Sequence, residues 1–212
     1  MDKEKFGVHQ SQSFTGNQFE FVDFCDSDFG KKNLNEAIFL SCGFFNKDSD
    51  SGCSFYGSKI RNAKFINCDL TLCNFAFADL FGAEFTNCRL IGTSFENASF
   101  SEQLTRKKYF CSGKIEDSNL SNASLAGLIL ENCSLRGNRW YETDITKTDF
   151  SGADLSDGEF SGIRWSDGNF TGSDLRGASL QGLDIRKVDL SGVRLDAWQI
   201  SQLASELGII VS

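Results

Sequence analysis

The chain is expected to be all-β, folding as a right-handed quadrilateral β-helix, and three observations lead there. Large apolar residues recur at every fifth position over about 180 residues. A small residue stands two positions before most of these centres, and Gly is common two positions after. An α-helix repeats every 3.6 residues and a strand every 2, so neither regular element produces a period of five. One large and one small side chain per five point inward, the residue before the centre is polar and points out, and the chain turns after each centre. Gly supplies the positive φ that a type II turn requires. Four such sides make a coil of 20 residues, and stacked coils pair about 4.7–4.9 Å apart. The centres amount to about eight and a half coils, hence a rod on the order of 40 Å long.

The first run of centres is Phe14, Phe19, Phe24, Phe29, Leu34, Phe39 and Phe44. The step from Phe44 to Phe55 is then eleven residues, so one extra residue breaks the phase. The intervening Phe45, Asn46, Lys47, Asp48, Ser49, Asp50, Ser51 and Gly52 are too polar for a wall, and read as a loop leaving the rod. The second run goes from Phe55 to Phe100 with Phe and Leu alternating from Phe65 to Leu90, which places Phe on opposite sides of each coil. Centres twenty apart, such as Phe55, Phe75 and Phe95, are expected to stack. Between Phe100 and Ile115 the phase holds but Thr105 is no core centre, so Glu102, Gln103, Leu104, Thr105, Arg106, Lys107, Lys108, Tyr109, Phe110, Cys111, Ser112 and Gly113 read as a second loop replacing two repeats. The third run extends from Ile115 to Leu195, with denser Gly and therefore more type II turns expected. Asp196 then N-caps a helix over Ala197 to Leu207, which Gly208 ends. The organisation is thus a solenoid over residues 1–195, with loops at 45–52 and 102–113, and a helix and tail over 196–212.

The chemistry of catalysis is missing from this pattern. Six of the eight Cys (Cys42, Cys53, Cys68, Cys73, Cys88 and Cys133) fall on the small inward position and read as core. No CxxC pair suggests zinc, no metal or cofactor is expected, and the single His, His9, precedes the first clear repeat. No phosphate-binding loop is present, and an evenly exposed rod offers no concave pocket, so the chain reads as a binding protein and not an enzyme. The N-terminus lacks the apolar run of a signal peptide, and no stretch approaches the roughly 20 apolar residues of a membrane span, which leads to a cytoplasmic expectation and no membrane partner. Eight Cys are then expected to be reduced.

The formal charge is −8, which argues against direct nucleic-acid binding. Spread over a rod of about 40 Å, this is one charge per about 5 Å, against one per about 1.7 Å for DNA. Mimicry of DNA would therefore need a concentrated face, for which Asp154 with Asp174, and Asp149 with Asp189 in another column, are the candidates. The second loop has the opposite sign, with Arg106, Lys107 and Lys108 able to meet an acidic patch on a partner.

Stretches such as ADLSDGEFSG, ADLFGAEFTN and SDLRGASLQG resemble the pentapeptide-repeat family over roughly residues 10 to 195. A short loop, a longer loop and a C-terminal helix, together with KKYFCS, ENCSLRGNRW and the segment around VRLDAWQ, are similar to the Qnr-type quinolone-resistance proteins. This resemblance implies a rod-shaped homodimer that binds the type II topoisomerases DNA gyrase and topoisomerase IV, protects them from quinolones, and uses its two loops to do so. It also gives the C-terminal apolar residues Trp198, Leu203, Leu207, Ile209 and Ile210 a dimer role beside that of capping the open end. The alternative left open by the residues is a scaffold or toxin-immunity protein with a different protein partner.

Overall fold

The computed structural model describes residues 4–5, 13–105 and 108–210 of the chain. It is a right-handed β-helix of four-sided coils. On one side the coils form a five-stranded parallel sheet, ordered Lys114–Glu116, Glu84–Thr86, Lys64–Ile66, Ile38–Leu40 and Gln18–Glu20. Phe19, Phe39, Phe65, Phe85 and Ile115 lie in register on that side. The other sides are held mainly by single parallel bridges at the residue before each centre, as in Asn74 to Ser94 to Ser124 to Asp144. Glu4–Lys5 pairs in parallel with Val22–Asp23, a strand that the apolar spacing does not mark.

The centres fill the rod. Phe29, Phe55, Phe75 and Phe95 stack face to face with centroids 4.7, 4.5 and 5.3 Å apart. On the opposite side Phe19, Phe39, Phe65 and Phe85 stack at 5.3, 4.9 and 5.0 Å. The two stacks meet edge to face across the axis, as Phe65 does with Phe75 at 6.1 Å and 87°. Both geometries suit the ring quadrupole. Among the described residues, the centres that are partly buried lie towards the ends of the rod: Phe19 in an early coil and Ile185, Leu190 and Leu195 in the last.

The polar positions are as regular as the apolar ones. Asp or Asn before the centre accepts the N–H two residues on, as Asp28 Oδ1 does from Gly30 at 2.8 Å and Asn74 Oδ1 from Ala76 at 2.8 Å, which is the Asx turn. At the small position, a hydroxyl or thiol donates to a carbonyl of the coil below: Thr93 to Leu70 at 2.8 Å, Thr143 to Leu120 at 2.9 Å, Cys53 to Phe24 at 3.1 Å and Cys88 to Phe65 at 3.2 Å. None of the eight Cys is joined in a disulfide. Burial pushes the thiols of Cys53, Cys68 and Cys133 up to about 12, so these are packing groups and not nucleophiles.

The corner residue two after the centre has positive φ whether or not it is Gly: Asn62 (56°), Leu72 (55°) and Lys147 (59°) hold the same conformation as Gly82 (73°). On the sheet side the early corners, Phe21, Ser41, Asn67, Asn87 and Asp117, are bends, whereas from Gly137 onward that side closes with hydrogen-bonded turns. The third run is therefore richer in such turns, as its Gly content suggests. The stacking adds a second reason for Gly, because a Cβ on Gly82 would run into the Asn62 side chain one coil below.

The helix spans Ala197–Glu206, and Gly208 (φ 78°) ends it. Asp196 N–H donates to Gln199 Oε1 at 2.7 Å, and Asp196 Oδ2 accepts the N–H of Gly177 at 2.8 Å. Gln199 Nε2 is buried and donates to the carbonyls of Leu175 and Ala178, both at 2.8 Å. It thereby occupies acceptors that a further coil would have used. Leu203 is 7% exposed and belongs to the core. This removes Leu203 from the residues expected to serve a dimer: it lies five residues from Trp198, which turns the side chain by about 140°, away from Trp198 and onto the rod.

Candidate functional site

Both interruptions of the period are antiparallel hairpins. In the first, Phe45–Asn46 pairs with Ser51–Gly52, and Cys53 N–H donates to the Phe44 carbonyl at 2.9 Å, which closes the foot. Phe44 and Phe55 are therefore consecutive centres. Phe45, Asn46 and Gly52 are half-buried, and Lys47, Asp48, Ser49, Asp50 and Ser51 form the exposed tip. Asn46 ties it down, with Nδ2 donating to Asp26 Oδ1 at 2.7 Å and Oδ1 accepting Asp48 N–H at 2.8 Å. A Cβ on Gly52 would meet the backbone of Leu72 and Cys73 in the next coil, so this position admits only Gly.

In the second hairpin, Ser101–Thr105 pairs with Lys108–Cys111, with an irregularity between Lys108 and Tyr109. Ser112 N–H donates to the Phe100 carbonyl at 2.9 Å, and a Cβ on Gly113 would strike the Phe100 ring. Glu102, Gln103, Leu104 and Phe110 are exposed, and Cys111 is half-buried. Thr105, Lys108 and Tyr109 take their places along the paired strands. Arg106 and Lys107, two of the three cations expected to meet a partner, lie outside the described residues, as does His9.

The register fixes where the hairpins leave the rod. The step in register from Phe39 to Phe65 is 26 residues and from Phe85 to Ile115 is 30, against the regular 20 from Phe65 to Phe85. The first hairpin follows Phe44, whose side continues through Leu70 to Leu90; the second follows Phe100, two centres beyond Leu90. They emerge from opposite corners. The second folds back over earlier coils, because Glu102 pairs with Arg61 and the Phe110 ring lies 5.8 Å from that of Phe81.

Arg61 and Phe81 were not expected at the site. Their signal was present in the pattern, since an outward Phe one position after a centre, twenty residues beyond an Arg in the same column, departs from the polar norm.

The four acids lie in the two columns that the spacing gave, Asp154 bridged to Asp174 and Asp149 bridged to Asn169 with Asp189 twenty residues beyond it, and each serves its own turn. Asp174 is nearly buried and lies in a fork from Arg176, with Nη2 to Oδ2 at 2.6 Å and Nε to Oδ1 at 2.9 Å, while Arg194 stands 3.6 Å away. The Arg176 hydrogen bond holds its carboxyl below the usual carboxylate range. Asp174 thus contributes little free negative charge, which corrects its assignment. The Ser191 hydroxyl, followed by the Ser191 N–H, likewise lowers Asp189.

At the C-terminal end, Trp198 (54%), Ile200 (55%), Ile209 (54%) and Ile210 (92%) are exposed, with Leu207 beside them. Ile200, which the spacing did not single out, is exposed as well, on the flank of the helix about 200° round from Trp198. Among the described residues, no cluster of His, Cys, Asp or Glu could hold a metal ion, and no helix is long and apolar enough to cross a membrane.

Comparison with known proteins adds to this geometry. A family model described as pentapeptide repeats matches in eight copies, over residues 51–76, 78–102, 118–157 and 159–192, leaving most of the second hairpin unmatched. The chain is similar to pentapeptide repeat protein QnrB4 of Escherichia coli, 41% identical over 137 residues (65% of this chain, 64% of that protein). It is also similar to quinolone resistance pentapeptide repeat protein QnrB96 of Scandinavium goeteborgense, 39% identical over 132 residues (62% of each). The matched stretch spans just under two thirds of either relative's length. Two solved structures of QnrB1, described as a plasmid-mediated fluoroquinolone resistance protein, superpose over nearly the whole chain. A trypsin-treated variant gives a TM-score of 0.94 at 38% identity over 99% of both chains, and the full-length form 0.91 at 40% over 97% of this chain and 95% of that one.

Proposed function

The chain belongs to the pentapeptide-repeat family, as a Qnr-type member, and from that premise we propose that it is a quinolone-resistance factor that binds bacterial DNA gyrase and topoisomerase IV. The observation that carries this reading is the agreement with QnrB1 over 99% of the chain, which includes both hairpins as well as the rod. The fold supports binding over catalysis. Its polar side chains are spent on turns and on the coil below, and its thiols are packed. The two hairpins are the surfaces that the repeat does not need, and they project from opposite corners.

The proposal places the protein in the cytoplasm, where its target enzymes work. It also makes the chain a homodimer through its C-terminal end, where Trp198, Ile200, Leu207, Ile209 and Ile210 are apolar residues that the cap leaves exposed. Resemblance to DNA is then one of shape and length, with charge supplied chiefly by the side bearing Asp149 and Asp189, since Asp174 is paired. Immobilised gyrase and topoisomerase IV are expected to retain the purified protein in a saturable way. Failure to bind either enzyme would end this reading in favour of a different protein partner.

A further inference from the structure

We propose that Arg61 and Phe81 are positioning residues that clamp the second hairpin against the rod and so set the direction in which its tip is presented. This rests on the reading above for its functional consequence, but the clamp itself is a matter of geometry. Four residues close a ring of contacts. The Arg61 guanidinium pairs with Glu102, the first outward acid of the hairpin. Glu102 stands directly across the hairpin from Phe110. The Phe110 ring meets that of Phe81 at 5.8 Å and 51°. The Phe81 ring in turn lies beneath the Arg61 guanidinium, 4.8 Å from centroid to Cζ.

Arg61 and Phe81 each follow a centre of the same column, Ile60 and Leu80, so they face outward one coil apart. Asp79 Oδ2, 3.5 Å from Arg61 Nε, holds the guanidinium from the rod side. Neither side chain is part of the core. The rod needs neither of them for packing, yet together they receive both strands of the hairpin. A hairpin joined only at its foot, by the Ser112 to Phe100 bond, could swing about that foot; contacts at Glu102 and Phe110 remove this freedom. Presenting a binding element already ordered reduces the cost of association.

The test uses the full chain and has two arms. The tip carries Arg106, Lys107 and Lys108, so trypsin reports on its accessibility. The variant combining Arg61→Glu with Phe81→Ala is expected to be cut at the tip about tenfold faster than the wild type, with only a small change in melting temperature, since it loses one cation–π contact, one ring contact and two solvent-screened ion pairs, all outside the core. The exchange of Arg61→Glu with Glu102→Arg, leaving Phe81 in place, is expected to restore slow cutting. Equal cutting rates in wild type and double variant would overturn the clamp. So would fast cutting in the exchanged pair. In the second arm, affinity for gyrase should fall with the cutting-prone variant and return with the exchange. If the wild type itself does not bind gyrase, the functional reading fails while the proteolysis arm still decides the clamp.

Discussion

Each residue position in the coil answers two demands, one of volume and one of hydrogen bonding. Thr143, small enough for the narrow interior, also satisfies the Leu120 carbonyl of the coil below. Asp174 illustrates the outward position: it holds its turn through Arg176 N–H and draws two arginines onto one carboxylate. Because its folded carboxyl lies below its unfolded value of about 3.9, its stabilisation is fully present above that pH and lost as pH falls through the lower folded value. Asp174→Asn is therefore expected to cost about 1 kcal/mol at neutral pH, reduced by the exposure of Arg176, and to cost nothing once both states are protonated. Thermal unfolding followed from pH 7 down to pH 2 checks this. A constant deficit over that range would mean that the residue acts through shape and not through charge.

At the scale of elements, the repeat was legible and the exceptions were only half so. The period of five locates every side of the coil, because one side chain per position decides each corner. It also locates both departures, Phe45–Gly52 and Glu102–Gly113. It does not say that these are paired hairpins, because FNKDSDSG has no alternation of apolar residues to signal a strand. Contacts made across coils were hidden for the same reason. Arg61 meets Glu102 over 41 residues of sequence, and Gln199 reaches back to Leu175, distances over which no local pattern operates. The helix shows the limit most plainly. Its apolar residues carry no local mark of which serve the cap and which face out: Leu203 and Gln199 cap the rod while Trp198 and Ile200 are exposed. That division separates capping from association. If the proposed dimer forms, the wild type is expected to sediment at twice the chain mass of 23.5 kDa, and Trp198→Lys combined with Ile210→Lys as a single chain with rod stability intact. A monomeric wild type would show that the outward face serves something other than self-association.

The whole molecule is a stiff rod with two projections and one apolar end. Its coils pack in register around one buried core, so the separation of the hairpins is set by the coil count. The first hairpin leaves after Phe44, and the second about two and a half coils later, or about 12 Å along the axis at the strand spacing. The net charge of −8 is too sparse to imitate DNA uniformly, and around Asp174 the two neighbouring arginines leave no local excess of negative charge. Length, stiffness and the hairpins therefore carry more of the proposed activity than charge does. The most direct measurement is DNA supercoiling by gyrase in the presence of ciprofloxacin, with the wild-type chain and with a chain lacking residues 102–111, a deletion that keeps Ser112 and Gly113 in the wall and leaves a regular step of five from Phe100 to Ile115. The account predicts that the wild type restores supercoiling in proportion to its concentration, and that the shortened chain, still folded by circular dichroism, does not. No restoration by the wild type, or equal restoration by the shortened chain, would contradict it.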